Sequence, residues 1–385
     1  MSWELKKLSD IANEFRETYE PTIKEHLPYV GLEHIEQQTL RLSGIGDSAS
    51  TRSTKRKFAK GDILFGSLRP YFRKVVQPKF DGVCSTDITV IRKKGDNSQD
   101  FLRYLISNES FINYSTNYSN GTRMPRANWN VIKNSEWKIP KSETQRKIAS
   151  ILSAYDDLIE NNTRRIKILE EMAQAIYREW FVSFRFPGHE KVKFVDSELG
   201  KIPEGWEVAE VKALVNRYKA GKKFTQKNVK SEGDVIVIDQ STDELLGYHN
   251  EEPDHIATPN KPRIIFGDHT CKMQLMVRPF SVGPNVIPFD SKNEVPVQFL
   301  FYLINSLVKT REYKRHWNEL ISKSVVLPIK ELQLEFSKKI IPFFEAIEQY
   351  KNKNSNLRKT RDLLLPKLMS GEIDVEEMDI PINND

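Results

Sequence analysis

Two stretches of the chain place apolar residues at alternating intervals of four and three. In the first, the seam is Ile148, Leu152, Tyr155, Ile159, Asn162, Ile166, Leu169, Ala173, Ile176 and Trp180. In the second, it is Phe336, Ile340, Phe343, Ile347, Tyr350, Asn354, Leu357, Arg361, Leu364 and Leu368. Such a 3.5-residue repeat, held for more than four heptads without a glycine, predicts two long helices that pack on each other. Two amphipathic helices, each on its own module, are the simpler alternative, but the narrow seam matched between the copies favours mutual packing. Pro342 and Pro366 remove backbone donors from the second helix, so a kink or restart is expected at both. An antiparallel register that pairs Ile148 with Leu368 also pairs Leu152 with Leu364, Ile159 with Leu357, Leu169 with Ile347 and Ile176 with Ile340. The same register sets Asn162 opposite Asn354, a polar pair of the kind that fixes coiled-coil register. Tyr155 against Arg361 is the one layer that does not read as core.

Outside the helices the period changes. Ile88–Ile91 and Val235–Ile238 are β-branched runs that predict strands. Residues 98–114 and 297–317 carry apolar residues at helical spacing. The chain also repeats itself. Trp3-Glu4-Leu5 returns as Trp206-Glu207-Val208, Ile63-Leu64-Phe65-Gly66 as Ile264-Ile265-Phe266-Gly267, Phe101–Ile106 as Phe299–Ile304, and Ile139-Pro140 as Leu327-Pro328. The order is kept while the offset shrinks from 203 to 188, so each half is one α+β module followed by one long helix. The predicted organisation is a first module at 1–140, a central helix at 141–186, a second module at 187–328, a distal helix at 329–371 and an acidic tail at 372–385.

Charge alters this picture in one respect. The chain of 385 residues has a formal charge of +6, yet Glu372–Asp385 holds six carboxylates and no Lys or Arg. The body is therefore markedly basic, which suits a polyanionic partner. No apolar run approaches the ~20 residues of a membrane span, and the start of the chain has no signal-peptide core, so a cytoplasmic location is expected. Cys84 and Cys271 are too few for a disulfide framework or a cysteine-rich zinc site.

Catalytic patterns are missing. There is no Pro-Pro for an Asn/Asp-Pro-Pro-aromatic methyltransferase motif, and Gly44-Ile45-Gly46 does not sit at a strand-to-helix turn. Gly221-Lys222-Lys223 lacks the upstream glycine and the hydroxyl residue of a phosphate loop. His249 to His255 is the densest candidate metal cluster, but a polar loop is the preferred reading. The expectation is a binding protein with no cofactor or metal of its own.

Basic residues alternate with aromatics and hydroxyls in a few loops. In the first module these give Arg69, Tyr71, Arg73 and Lys74, then Thr122, Arg123 and Arg126 in a Gly-bearing loop. In the second they give Lys219, Lys222, Lys223 and Thr225, then His269 and Lys272. Such side chains neutralise phosphates and read base edges in the major groove, which makes them candidate contacts to double-stranded DNA. A solvated surface is the alternative for any one loop.

Longer segments carry a resemblance. Trp180–Pro187 closing the central helix, Ser197–Trp206 opening the second half, Trp137-Lys138-Ile139-Pro140 ahead of Glu143 and Gln145, and Arg263–Thr270 together resemble the specificity (S) subunit of type I restriction-modification enzymes. The resemblance implies two target-recognition domains, each reading half of a bipartite, asymmetric site. It implies that their helices form an antiparallel coiled coil with pseudo-two-fold symmetry that sets the gap. It further implies no catalysis on this chain, and partnership with two methylation (M) and two restriction (R) subunits, which bring S-adenosylmethionine, ATP and Mg. Gly121-Thr122 has no counterpart ahead of Val325, where Asn318–Ser324 stand, so its role is not carried to that stretch. A self-contained methyltransferase or nuclease with divergent motifs, and a coiled-coil adaptor without DNA, are the competing readings.

Overall fold

The structure, a computed structural model, describes residues 3–382 apart from 223, 242–244, 311 and 313. Lys223, one of the expected contacts, lies outside the described residues. The chain divides into two compact units, Met1–Glu160 with Ser355–Asp385, and Asn161–Asn354, so each long helix is shared between them.

In the first unit, Ile88–Lys93 and Ile63–Gly66 form the centre of a four-stranded antiparallel sheet, flanked by Ala12–Phe15 and Val75–Val76. Side chains alternate across a strand. Ile63, Phe65 and Ile91 therefore face the helices, while Leu64, Ile88 and Val90 face a second core with Val30, Phe58 and Cys84. That second core is backed by a five-stranded sheet in the order Thr18–Tyr19, Lys55–Phe58, Gly82–Cys84, Pro28–Val30, Gly46–Asp47. Burial on both faces explains why Ile88–Ile91 reads as a continuous apolar run. The helical spacing at 98–114 is divided between two helices, Gln99–Ser107 and Glu109–Asn117. Asn108 is extended between them, and its side-chain oxygen accepts from the Ser110 amide, a cap that starts the second helix.

The second unit repeats the plan. Val215–Arg217, Val286–Ser291, Arg263–Gly267 and Met273–Met276 form a four-stranded sheet in that order. Ile264, Phe266, Ile287 and Phe289 face one core; Ile265, Met276 and Val286 face another with Ile236, Ile238, Phe280 and Val282. The edge pairs match as well: Glu4–Lys7 with Glu136–Ile139 in the first unit, Glu207–Glu210 with Ser324–Leu327 in the second. Here too the helical spacing at 297–317 is divided, between Val297–Ile304 and Trp317–Ile321.

The central helix runs Ser142–Tyr177 and ends in a π turn at Arg178–Val182, short of the expected 186. Pro187 restricts Phe186, and Phe184 takes a positive φ of 56°, so the chain leaves the helix to bury Phe181 and Phe186 against Trp206. The stretch that follows is no plain linker, because Phe194–Ser197 pairs with Gly200–Pro203. The distal helix is continuous over Lys330–Ser370, so neither proline restarts it. Both prolines are solvent-exposed, where water can satisfy the carbonyls that lost their donor.

Within each unit the two helix stretches are antiparallel. In the first, Ile148 and Leu152 share a core with Leu365 and Leu368, and Arg361 Nη1 donates to Asp156 Oδ1 at 2.6 Å. In the second, Asn162 Nδ2 donates to Asn354 Oδ1 at 2.9 Å, and Ala173 packs with Ile340. The acidic tail is not loose either. Val375 is 1 % exposed in the first unit's core, and Lys147 Nζ donates to the Glu376 carbonyl at 2.7 Å.

Candidate nucleic-acid interface

In the first unit the strand Ile63–Gly66 leads into a turn, Pro70–Phe72, bracketed by Arg69 and Arg73 at φ of 52° and 51°. The Arg69 amide donates to the Pro125 carbonyl at 2.7 Å, and the Ala127 amide to the Ser67 carbonyl at 2.8 Å. These bonds lock the turn to the hairpin Ser119–Asn120/Arg126–Ala127. Gly121 sits in that hairpin at φ 92°, where a Cβ would meet the Met124 carbonyl oxygen at 3.3 Å. Arg69 and Tyr71 are thereby joined in one surface with Thr122, Arg123 and Arg126. Tyr71 and Met124 are each 46 % exposed beside these basic side chains. Arg126 Nε is held by Asp87 Oδ1 at 2.9 Å, and Arg69 Nε is buried with no partner among the described residues.

Arg73 and Lys74 point the other way. The left-handed Arg73 turns its guanidinium inward, where Nε donates to the Ser107 carbonyl and burial lowers its pKa. Lys74 Nζ donates to the Leu32 carbonyl. Both are half-buried and bind the protein's own backbone, which corrects their expected place at the DNA surface.

In the second unit the expected residues fall in two places. Lys219 and Thr225 are exposed in a loop packed against residues 249–254, and Lys222 Nζ contacts Glu251 Oε1 at 2.5 Å. Phe224 anchors that loop by stacking on His249, with centroids 4.3 Å apart and planes at 13°. His269 and Lys272 lie in the loop after Arg263–Gly267, the topological equivalent of the Arg69–Lys74 turn. The His269 amide donates to Gln240 Oε1 at 3.1 Å, and Lys272 Nζ to the Ser241 carbonyl at 3.3 Å. Asn162 and Asn354, expected as a register pair, meet as described above.

Sequence reasoning missed the segment that replaces the Gly121 hairpin. The His316 amide donates to the Asp268 carbonyl at 2.8 Å, and Thr310 Oγ1 to that of His269 at 3.4 Å. Lys309, Thr310 and residues 314–316, rather than 318–324, thus lie beside the loop, and Lys309, Lys314 and Arg315 are exposed there. Thr270, Cys271, Lys272, Lys309 and Thr310 line an open cleft of about 470 Å³ there. The signal was present as basic residues interleaved with Tyr313, but the shrinking offset put the counterpart too late in the chain.

No group of three His, Cys, Asp or Glu that could hold a metal occurs among the described residues. His249 bonds Ser281 Oγ at 2.9 Å, and His255 packs on Phe280 with burial lowering its pKa. Burial pushes the Cys84 thiol up to about 12 and raises that of Cys271, the opposite of an activated nucleophile. No helix among the described residues is long and apolar enough to cross a membrane.

Residues 1–171 match the type I restriction modification DNA specificity domain. The chain is 26 % identical to the type I restriction enzyme MjaIX specificity subunit of Methanocaldococcus jannaschii, over 98 % of this chain and 94 % of that one. It is 24 % identical to the type I restriction enzyme HindI specificity subunit of Haemophilus influenzae, over 83 % and 88 % of the two chains. The fold is similar to that of a type I restriction-modification S subunit from M. genitalium, with a TM-score of 0.57 at 18 % identity over 96 % of each chain.

Proposed function

We propose that the chain is a specificity (S) subunit of a type I restriction-modification enzyme and that each of its two modules reads one half of a bipartite, asymmetric DNA site. One observation carries this reading. In both units the loop after the inner strand Ile63–Gly66 or Arg263–Gly267 is bonded to the segment that follows the helices, at 125–127 in the first unit and at Thr310 and His316 in the second, and both surfaces are basic. Arg123, Arg126, Lys309, Lys314 and Arg315 supply the phosphate contacts; Arg69, Tyr71, Thr122, His269 and Lys272 stand nearest to base edges. Lys219, Lys222 and Thr225 lie on a separate loop and act as flanking backbone contacts. The chain performs no catalysis; two methylation subunits with S-adenosylmethionine and two restriction subunits with ATP and Mg supply the chemistry.

The test is a map of methylated adenines in cells with and without this chain. Two short half-sites at a fixed spacing, lost on deletion, support the reading. A continuous palindrome, or an unchanged map, refutes it.

A further inference from the structure

A cluster of buried charge lies where the first module meets its helices. Arg361 is 5 % exposed in its side chain and pairs with Asp156 Oδ1 at 2.6 Å and Asp362 Oδ1 at 2.9 Å. Tyr104 Oη donates to Asp156 Oδ2 at 2.5 Å and accepts from Arg103 Nη2 at 2.7 Å. Tyr104 is fully buried, and the Arg103 guanidinium lies over its ring at 4.6 Å. Burial opposes the charge on Arg361, yet Asp156 and Asp362 hold its pKa above the ordinary value. The network spans the central helix through Asp156, the distal helix through Arg361, and Gln99–Ser107 through Arg103 and Tyr104. The last turn of that helix accepts, at the Ser107 carbonyl, the hydrogen bond from Arg73 Nε. The Arg73 guanidinium also feels the charges of Asp362 and Arg361.

The second unit fills the same seat without ions. By the internal repeat Tyr104 corresponds to Tyr302, Arg103 to Phe301, Asp156 to Phe344 and Arg361 to Ala173. Tyr302 stacks on Tyr177 with centroids 5.8 Å apart, and packs edge-on to Phe336 and near Phe344. The fold therefore does not require charge at this joint. A buried ion cluster is often no more stabilising than well-packed apolar residues, but it tolerates fewer geometries.

We infer that the Arg361–Asp156–Tyr104–Arg103 network is a positioning device, which sets the placement of the Arg69–Lys74 turn through Ser107 and Arg73. The inference rests on the proposed reading of that turn as a DNA contact. Its side chains are largely buried, so they act on sequence readout only through the turn. The aromatic joint of the second unit leaves the 268–272 loop independent of any such tie.

The experiment compares the full chain with Asp156→Asn and Tyr104→Phe. Hydrogen exchange is read on residues 68–74 and 263–272, and methylated adenines are mapped in cells carrying each chain. Asp156→Asn is expected to speed exchange of 68–74 by about tenfold or more, with 263–272 unchanged. It is also expected to relax base preference in one half-site alone, and Tyr104→Phe to do so more weakly. Faster exchange with both half-sites unchanged overturns it, leaving a merely stabilising cluster; so does relaxation of both half-sites together. Should the wild-type map show no bipartite site, the DNA reading itself fails, while the exchange data still report whether the network holds the turn.

Discussion

Replacing Asn162 and Asn354 singly and together tests whether one amide pair holds the helix register in the second unit. Both side chains are buried, at 9 % and 4 % exposure, and Asn162 Nδ2 donates to Asn354 Oδ1 at 2.9 Å. Asn162→Leu leaves the Asn354 oxygen without this donor, although Asn354 Nδ2 keeps its 3.2 Å contact to Thr163 Oγ1. A buried orphaned amide costs about 1–3 kcal/mol, and the surviving contact argues for the lower end. Asn354→Leu orphans Asn162 in turn. The double variant has no orphan across the seam, and the gain from burying leucine is common to single and double variants and cancels in the cycle. The singles should therefore sum to about 2 kcal/mol more destabilisation than the double shows. At a urea slope of about 2 kcal/mol/M this is a midpoint difference near 1 M, roughly. Hydrogen exchange of residues 161–177 and 340–354 in rising urea measures the opening of this stretch apart from the other unit. A coupling below about 0.5 kcal/mol, within ordinary additivity scatter, refutes the register role.

Three further outcomes follow from named contacts. Arg123→Ala should weaken binding to any duplex and reduce the salt slope by about 1, read by titration of the full complex at several salt concentrations. Val375→Asp places a carboxylate in the first unit's core, where Val375 is 1 % exposed, and should cost at least about 3 kcal/mol. Thermal unfolding of that unit should then fall by roughly 6–12 °C. Asp96 accepts from Ser142 Oγ and from Arg146, and these bonds lower its pKa. A carboxyl depressed on folding stabilises above its unfolded pKa, about 3.9, and loses that contribution as pH falls through the folded value. Asp96→Asn should thus speed exchange in the first turn of the central helix at neutral pH and change little at pH 2.

What could be read beforehand depended on which physical signal each element leaves in the chain. The helices were legible because a seam of ten positions repeats its spacing, and the two asparagines stood out by breaking that seam. The strands at Ile88–Ile91 and Val235–Ile238 were legible as β-branched runs because both faces are buried. Arg73 and Lys74 were misread because a basic residue in a turn looks the same whether it faces water or a carbonyl. Arg361 looked wrong for a core layer since the carboxylate that meets it there, Asp156, comes from the other long helix and is itself held by Tyr104. The breaks at Asn108 and Asn305 hid inside helical spacing, as local capping outweighed periodicity.

The conserved plan of the two units and the divergence of their loops have one cause. Each four-stranded sheet is fixed by alternation of side chains between two cores, so any one-residue slip would expose an entire apolar set. The turn and the segment beside it are tied to that frame by backbone bonds, such as Arg69 N to Pro125 O and His316 N to Asp268 O. Backbone bonds make no demand on side-chain identity. A Gly-bearing hairpin in one unit and an irregular basic segment in the other can therefore occupy one topological position. If that is the basis of readout, exchanging Thr122–Met124 for other residues, with Gly121 and the flanking bonds retained, should change base preference in one half-site without lowering the unfolding temperature. Loss of stability in step with every change of preference would show instead that the loop side chains are part of the frame.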